Sequence, residues 1–72
     1  MTTINTTGLS CPQPVLMVKN ILEATAETSV QVLVDAEASR ENVTRFALSA
    51  GWHKTAESQQ EAVWTMEFTR KG

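Results

Sequence analysis

The chain has a single cysteine in 72 residues, so no disulfide can form within it. With a single histidine as well, far from that cysteine in sequence, the residues for a structural zinc site are missing. No metal site and no bound cofactor are expected. A lone cysteine fits a reducing compartment. The longest apolar run, Val15 to Val18, is too short to span a membrane. Met1 to Thr7 has no basic segment followed by an apolar stretch, so no secretory signal is expected and the cytoplasm is the default location. A basic excess is also absent. The formal net charge is −2, from 6 Lys and Arg against 8 Asp and Glu, which disfavours a nucleic-acid module of this size. A chain this short forms a single domain over residues 1–72. It buries only about 60% of its unfolded surface, leaving no room for a deep substrate cavity. Chemistry is therefore expected at the surface or against a partner.

What remains is a clear alternation of element types. Ile4 to Thr7 is rich in β-branched residues and predicts a strand. Gly8 to Pro14 predicts a loop. Val15 to Ala24 sets Val15, Val18 and Leu22 on one helical stripe, with Lys19, Asn20 and Glu23 on the other side. Val30, Val32 and Val34 alternate with Gln31, Leu33 and Asp35, which is strand periodicity. Ser39 is a candidate cap for the next helix. There Val43, Phe46, Ala47 and Ala50 share a face, and Glu41 and Arg45 are expected to form a favourable i,i+4 pair. Gly51 suits a left-handed helix terminus. Trp52 to Ala56 predicts a strand and Glu57 to Glu61 a polar turn. Ala62, Trp64, Met66 and Phe68 then alternate with Val63, Thr65, Glu67 and Thr69.

The expected architecture is α/β (α+β), a two-layer sandwich in the order β-α-β-α-β-β. A four-stranded mixed sheet would carry both helices on one face, joined by right-handed crossovers. Gln31, Thr65, Glu67 and Thr69 would line the open face.

The segment that carries chemistry is Gly8-Leu9-Ser10-Cys11-Pro12-Gln13-Pro14. A residue before proline is pushed out of the helical region, so Cys11 and Gln13 are extended. Pro14 or Pro12 can take the first helical position, where a missing N–H costs nothing. Cys11 is thus expected at the helix N-terminus, where unpaired N–H groups and the helix dipole favour thiolate over thiol. The alternative is a buried cysteine acting as a small apolar filler. The rigid Pro-x-Pro bracket speaks for the exposed nucleophile.

This segment resembles the signature of the TusA/SirA/YedF family, small proteins with a Cys-Pro-x-Pro motif. Asp35 at the end of the second strand and the ending Arg70-Lys71-Gly72 resemble the family too. The stretch from Val32 to Phe46 is similar to the YedF-like branch, some of whose members join this domain to a DsrE-like domain and are associated with selenium metabolism. The resemblance implies a sulfurtransferase acting as a persulfide relay, with Cys11 the carrier and Gly8, Pro12 and Pro14 positioning it. It implies a cysteine desulfurase or other protein as sulfur donor. It also implies a downstream acceptor, DsrE-like or serving tRNA thiolation, and leaves room for a second domain after Gly72. Lys19, Met17 and Asp35 are its candidate partner-binding residues. For Lys19 the alternative is a solvated lysine paired with Glu23, and for Met17 a core or interface filler.

Three residues outside the motif can be weighed on position alone. His53 is expected at the surface rather than beside Cys11 as a base. Trp52 and Trp64 are expected in the core rather than as stacking platforms for bases. The rival function is a non-catalytic regulatory or RNA-binding module, since the expected fold is similar to that of the C-terminal domain of translation initiation factor three. Salt-dependent RNA binding separates the two, because only the rival needs it.

Overall fold

A computed structural model describes residues 2–9 and 13–71. Six elements follow in the expected order: β1 (Thr2–Asn5), α1 (Gln13–Ala24), β2 (Ser29–Val34), α2 (Glu37–Ser49), β3 (His53–Gln60) and β4 (Val63–Thr69). The strands form one sheet in the spatial order β1-β2-β4-β3. β1 runs parallel to β2, while β4 is antiparallel to both β2 and β3. The sheet is therefore mixed, with the last strand inserted between the second and the third.

Strand alternation decides which face is covered. Val30, Val32 and Val34 are all fully buried, and across the ladder Phe68, Met66 and Trp64 stand opposite them. Ile4 sits opposite Val32 on the other side. Val18 and Leu22 of α1 and Val43 and Ala47 of α2 join the same cluster, so both helices pack on this one face. Trp52 closes the cluster at 2% exposure, and Trp64 packs against it half-buried. Trp52 is thus a core residue, as expected, and Trp64 lies at the core's edge. On the other face Gln31 faces Glu67, Leu33 faces Thr65, and Ser29 faces Thr69. That face is the mixed, open one the alternation predicts.

The end of α2 follows from Gly51. Its φ of +92° is the left-handed conformation that glycine adopts without a Cβ penalty. Trp52 N–H then reaches back to Ala47 O at 2.9 Å and Gly51 N–H to Leu48 O at 3.2 Å, the paired bonds of a Schellman motif. This closure drops Trp52 into the core.

Four differences from the sequence expectation exceed a single residue. β1 lies at Thr2–Asn5 rather than Ile4–Thr7, because the chain turns after Thr6. α1 starts at Gln13 rather than Val15, which takes Pro14 into its first turn. Ser39 does not cap α2. Ala36 holds the cap position with extended backbone and no side-chain bond, and Ser39 is buried one turn further in. Glu37 supplies the negative charge that the first turn favours. The largest difference is β3, which continues through the expected turn to Gln60, leaving only Glu61 and Ala62 to reverse the chain. All eight residues of this edge strand are exposed, so no apolar alternation marks it. Its pairing with β4 defines it. Glu41 and Arg45 form no ion pair among the described residues. Arg40 instead joins Glu37 at 3.5 Å and Glu57 at 3.4 Å.

Candidate functional site

The loop between β1 and α1 is held at both of its described ends. At the first end Thr6, fully buried, gives its N–H to Leu33 O at 2.9 Å and its hydroxyl to the same oxygen at 2.6 Å. Leu9 N–H returns to Thr6 O at 3.2 Å, closing a four-residue turn. Gly8 has the third place in that turn, with φ +84°, which is where a type II turn requires glycine. Asn5 Oδ1 accepts from Thr7 N–H at 3.0 Å and Thr7 Oγ at 2.6 Å, fixing the turn from the other side. The Gly8 N–H donates to Asp35 Oδ2 at 2.8 Å. Asp35 directly follows the end of β2, and its carboxylate continues the pairing of the two strands past their last backbone bond.

At the second end Pro14 is fully buried in the first turn of α1. No acidic residue lies in that turn, so no carboxylate of its own neutralises the positive end of the helix. Cys11 and Pro12 lie outside the described residues. In sequence, Cys11 stands three residues after Gly8 and two before Gln13.

The remaining candidates distribute along α1. Met17 is half-buried and packed against the core, while Lys19 is exposed. Glu23 is exposed as well, and no ion pair joins it to Lys19 among the described residues. Leu16, a large apolar residue that no motif marks, is 50% exposed on the same helix. No motif marks Thr6 either. The string Asn5-Thr6-Thr7-Gly8 is rich in turn formers and was the available signal for it.

Other features stand away from this loop. His53 is exposed at the start of β3, paired with Thr69 on the sheet face opposite the helices. A cavity of about 410 Å³ lies between Leu22, Phe46, Trp52 and Arg70, at the C-terminal end of α1. Arg70 is anchored there, its guanidinium 4.8 Å from the Trp52 ring centre and donating to Thr25 O at 2.8 Å. Among the described residues no three or more His, Asp or Glu side chains are placed to hold a metal ion. No described helix is long and apolar enough to cross a membrane.

Three comparisons bear on this arrangement. The profile of the family described as "Sulfurtransferase TusA" matches residues 2–70. The "Sulfur carrier protein TusA" of Pseudomonas entomophila is 31% identical over 70 residues, spanning 96% of this chain and 86% of that protein. The protein of the same description from Pseudomonas aeruginosa is 30% identical over 69 residues, 94% of this chain and 86% of its own. Among solved structures, a SirA-like protein from Desulfitobacterium hafniense superposes with a TM-score of 0.82 at 31% identity, covering 96% of each chain.

Proposed function

This chain belongs to the TusA sulfurtransferase family, and on that premise we propose that it is a sulfur carrier working through a persulfide on Cys11. The observation that carries the reading is the family match over residues 2–70, which includes the sole cysteine within a Cys-Pro-x-Pro segment. The first turn of α1, two residues further on, adds to it. Free of acidic side chains, that helix end favours a thiolate in its vicinity.

In the proposed step the Cys11 thiolate attacks the terminal sulfur of a donor persulfide. The new S–S bond forms as the donor's S–S bond breaks, and the donor cysteine leaves as thiolate. The donor falls from the persulfide to the thiol level as Cys11 rises from the thiol to the persulfide level, so the exchange balances without an outside oxidant or reductant. Cys11 then carries the sulfane sulfur and yields it to an acceptor thiolate by the same exchange. In each exchange the attacking cysteine reacts as its thiolate and the sulfur that moves is attacked as –S–SH. The donor is a cysteine desulfurase or a protein like it. The acceptor is a protein of a sulfur or selenium pathway, of which DsrE-like proteins and the tRNA-thiolation route are the two forms suggested by the family. Residues 1–72 would serve as one such carrier domain, working in the cytoplasm.

Incubation with a cysteine desulfurase and L-cysteine is expected to add one sulfur, about 32 Da, as an adduct labile to reductant. Cys11→Ser is expected to fold and to gain none, since a hydroxyl cannot hold a sulfane sulfur. Mass spectrometry of the intact protein reads both. Wild-type protein that stays unmodified with several desulfurases would overturn the proposal.

A further inference from the structure

We propose that Asp35 is a positioning residue for sulfur transfer, acting through its hydrogen bond to Gly8 rather than through a partner. The inference rests on the sulfur-carrier reading of Cys11. Gly8 N–H belongs to a turn that has left the sheet, so no strand neighbour satisfies it. Asp35 Oδ2 accepts it at 2.8 Å, so a side-chain oxygen supplies the partner that the sheet no longer offers. Two residues earlier on each strand, Thr6 is bonded twice to Leu33 O. The loop is thus pegged to the end of β2 at two points, and Gly8 is the peg nearest Cys11 in sequence.

From that peg only residues 9–12 lead to Gln13, where α1 begins with Pro14 buried beneath it. Cys11 belongs to this short span between two fixed ends. Releasing Gly8 removes the described anchor nearest to Cys11 in sequence, and transfer between two sulfur atoms depends on their approach geometry. A displacement of about 1 Å can cost two orders of magnitude in rate. A partner-contact role for Asp35 makes a different demand, since it acts on affinity and leaves the transfer step alone.

Steady-state sulfur uptake from a cysteine desulfurase charged with L-cysteine, at varied concentrations of this protein, separates the cases. Asp35→Ala removes the acceptor. It is expected to lower the saturating rate about tenfold while the half-saturating concentration stays within about twofold. Asp35→Asn keeps an acceptor oxygen in place and is expected to restore the rate to within about threefold of wild type. Asp35→Glu, with the acceptor on a longer arm, is expected to fall between them and stands in should the alanine variant fail to fold. The inference is overturned if Asp35→Ala behaves as wild type or raises only the half-saturating concentration. It is also overturned if Asp35→Asn is as slow as Asp35→Ala, which would make the charge the active feature. Wild-type protein that takes up no sulfur would instead overturn the carrier reading itself.

Discussion

A Cβ at residue 8 would meet no atom within 4 Å, so the demand for glycine there comes from the backbone alone, from φ +84°. An L-residue forced into the left-handed region loses about 1–2 kcal/mol. Gly8→Ala is accordingly expected to lower stability by about that amount, read from the urea midpoint. A variant as stable as wild type would show that the turn adopts another shape. The same residues show what a sequence makes legible at this scale. Gly8 and Gly51 could be placed in turns from the sequence, because their requirement is local. The Asp35 bond could not, since it joins residues 27 apart in the chain and depends on the parallel register of two strands. For Thr6 the neighbouring turn formers mark a turn, but its burial and its two bonds to Leu33 O depend on a strand 27 residues away.

Among the elements, β3 departs furthest from the expectation. Its residues read as a turn because they are polar, and they are polar because an edge strand is wet along its whole length. Such a strand offers unpaired backbone groups to other chains, and charged side chains and bulges blunt that hazard. Both occur here. Thr55 is an extra residue between Lys54 and Ala56, bulging the ladder to β4, and Lys54 and Glu57 stand beside it. The bulge also lets Lys54 and Glu57 share a face, where the ammonium meets the carboxylate at 2.8 Å. Arg40 of α2 reaches the other oxygen of Glu57 at 3.4 Å, tying the edge to the helix layer. The bond from Lys54, with the charges of Lys54 and Arg40, holds the Glu57 carboxyl below its ordinary value of 4.5 against a smaller opposing effect of burial. A carboxyl whose folded pKa is depressed contributes stability above its unfolded value and loses it as pH falls through the folded one. Glu57→Gln is therefore expected to be less stable than wild type at about pH 7, by up to about 1 kcal/mol for so exposed a pair, with the deficit shrinking as the pH is lowered from above 4.5 to about 3. Urea unfolding at the two pH values checks this. A deficit that persists in acid would mean that packing, not charge, is lost.

For the molecule as a whole, the two-layer architecture was legible because it rests on repeated patterns. Three valines in alternation mark a covered strand, and β4 repeats the signal with Trp64, Met66 and Phe68. The helical stripe from Val15 to Leu22 says what covers them. Element order then leaves few ways to join the layers. What could not be read was the insertion of β4 between β2 and β3, because nearly any pairing would have satisfied the same alternation. That topology places β1 at one edge, four residues long and hydrogen-bonded in the sheet only to β2. Such a strand is a candidate for sub-global opening, which needs less free energy than unfolding the whole domain. Were β1 to detach, β2 would still be paired with β4 and the central ladder kept, while the anchor of the motif loop at Thr6 and Gly8 would be released with it. Native-state hydrogen exchange is thus expected to show the amides of Thr6 and Gly8 exchanging together, at one free energy nearly independent of low denaturant. The amides of Val32 and Met66 are expected to exchange only with global unfolding. A single shared free energy for all four would exclude the partial opening. If it occurs, the shortest strand sets how often the anchors at Thr6 and Gly8 are undone, and the lifetime of that anchoring is separate from the lifetime of the fold.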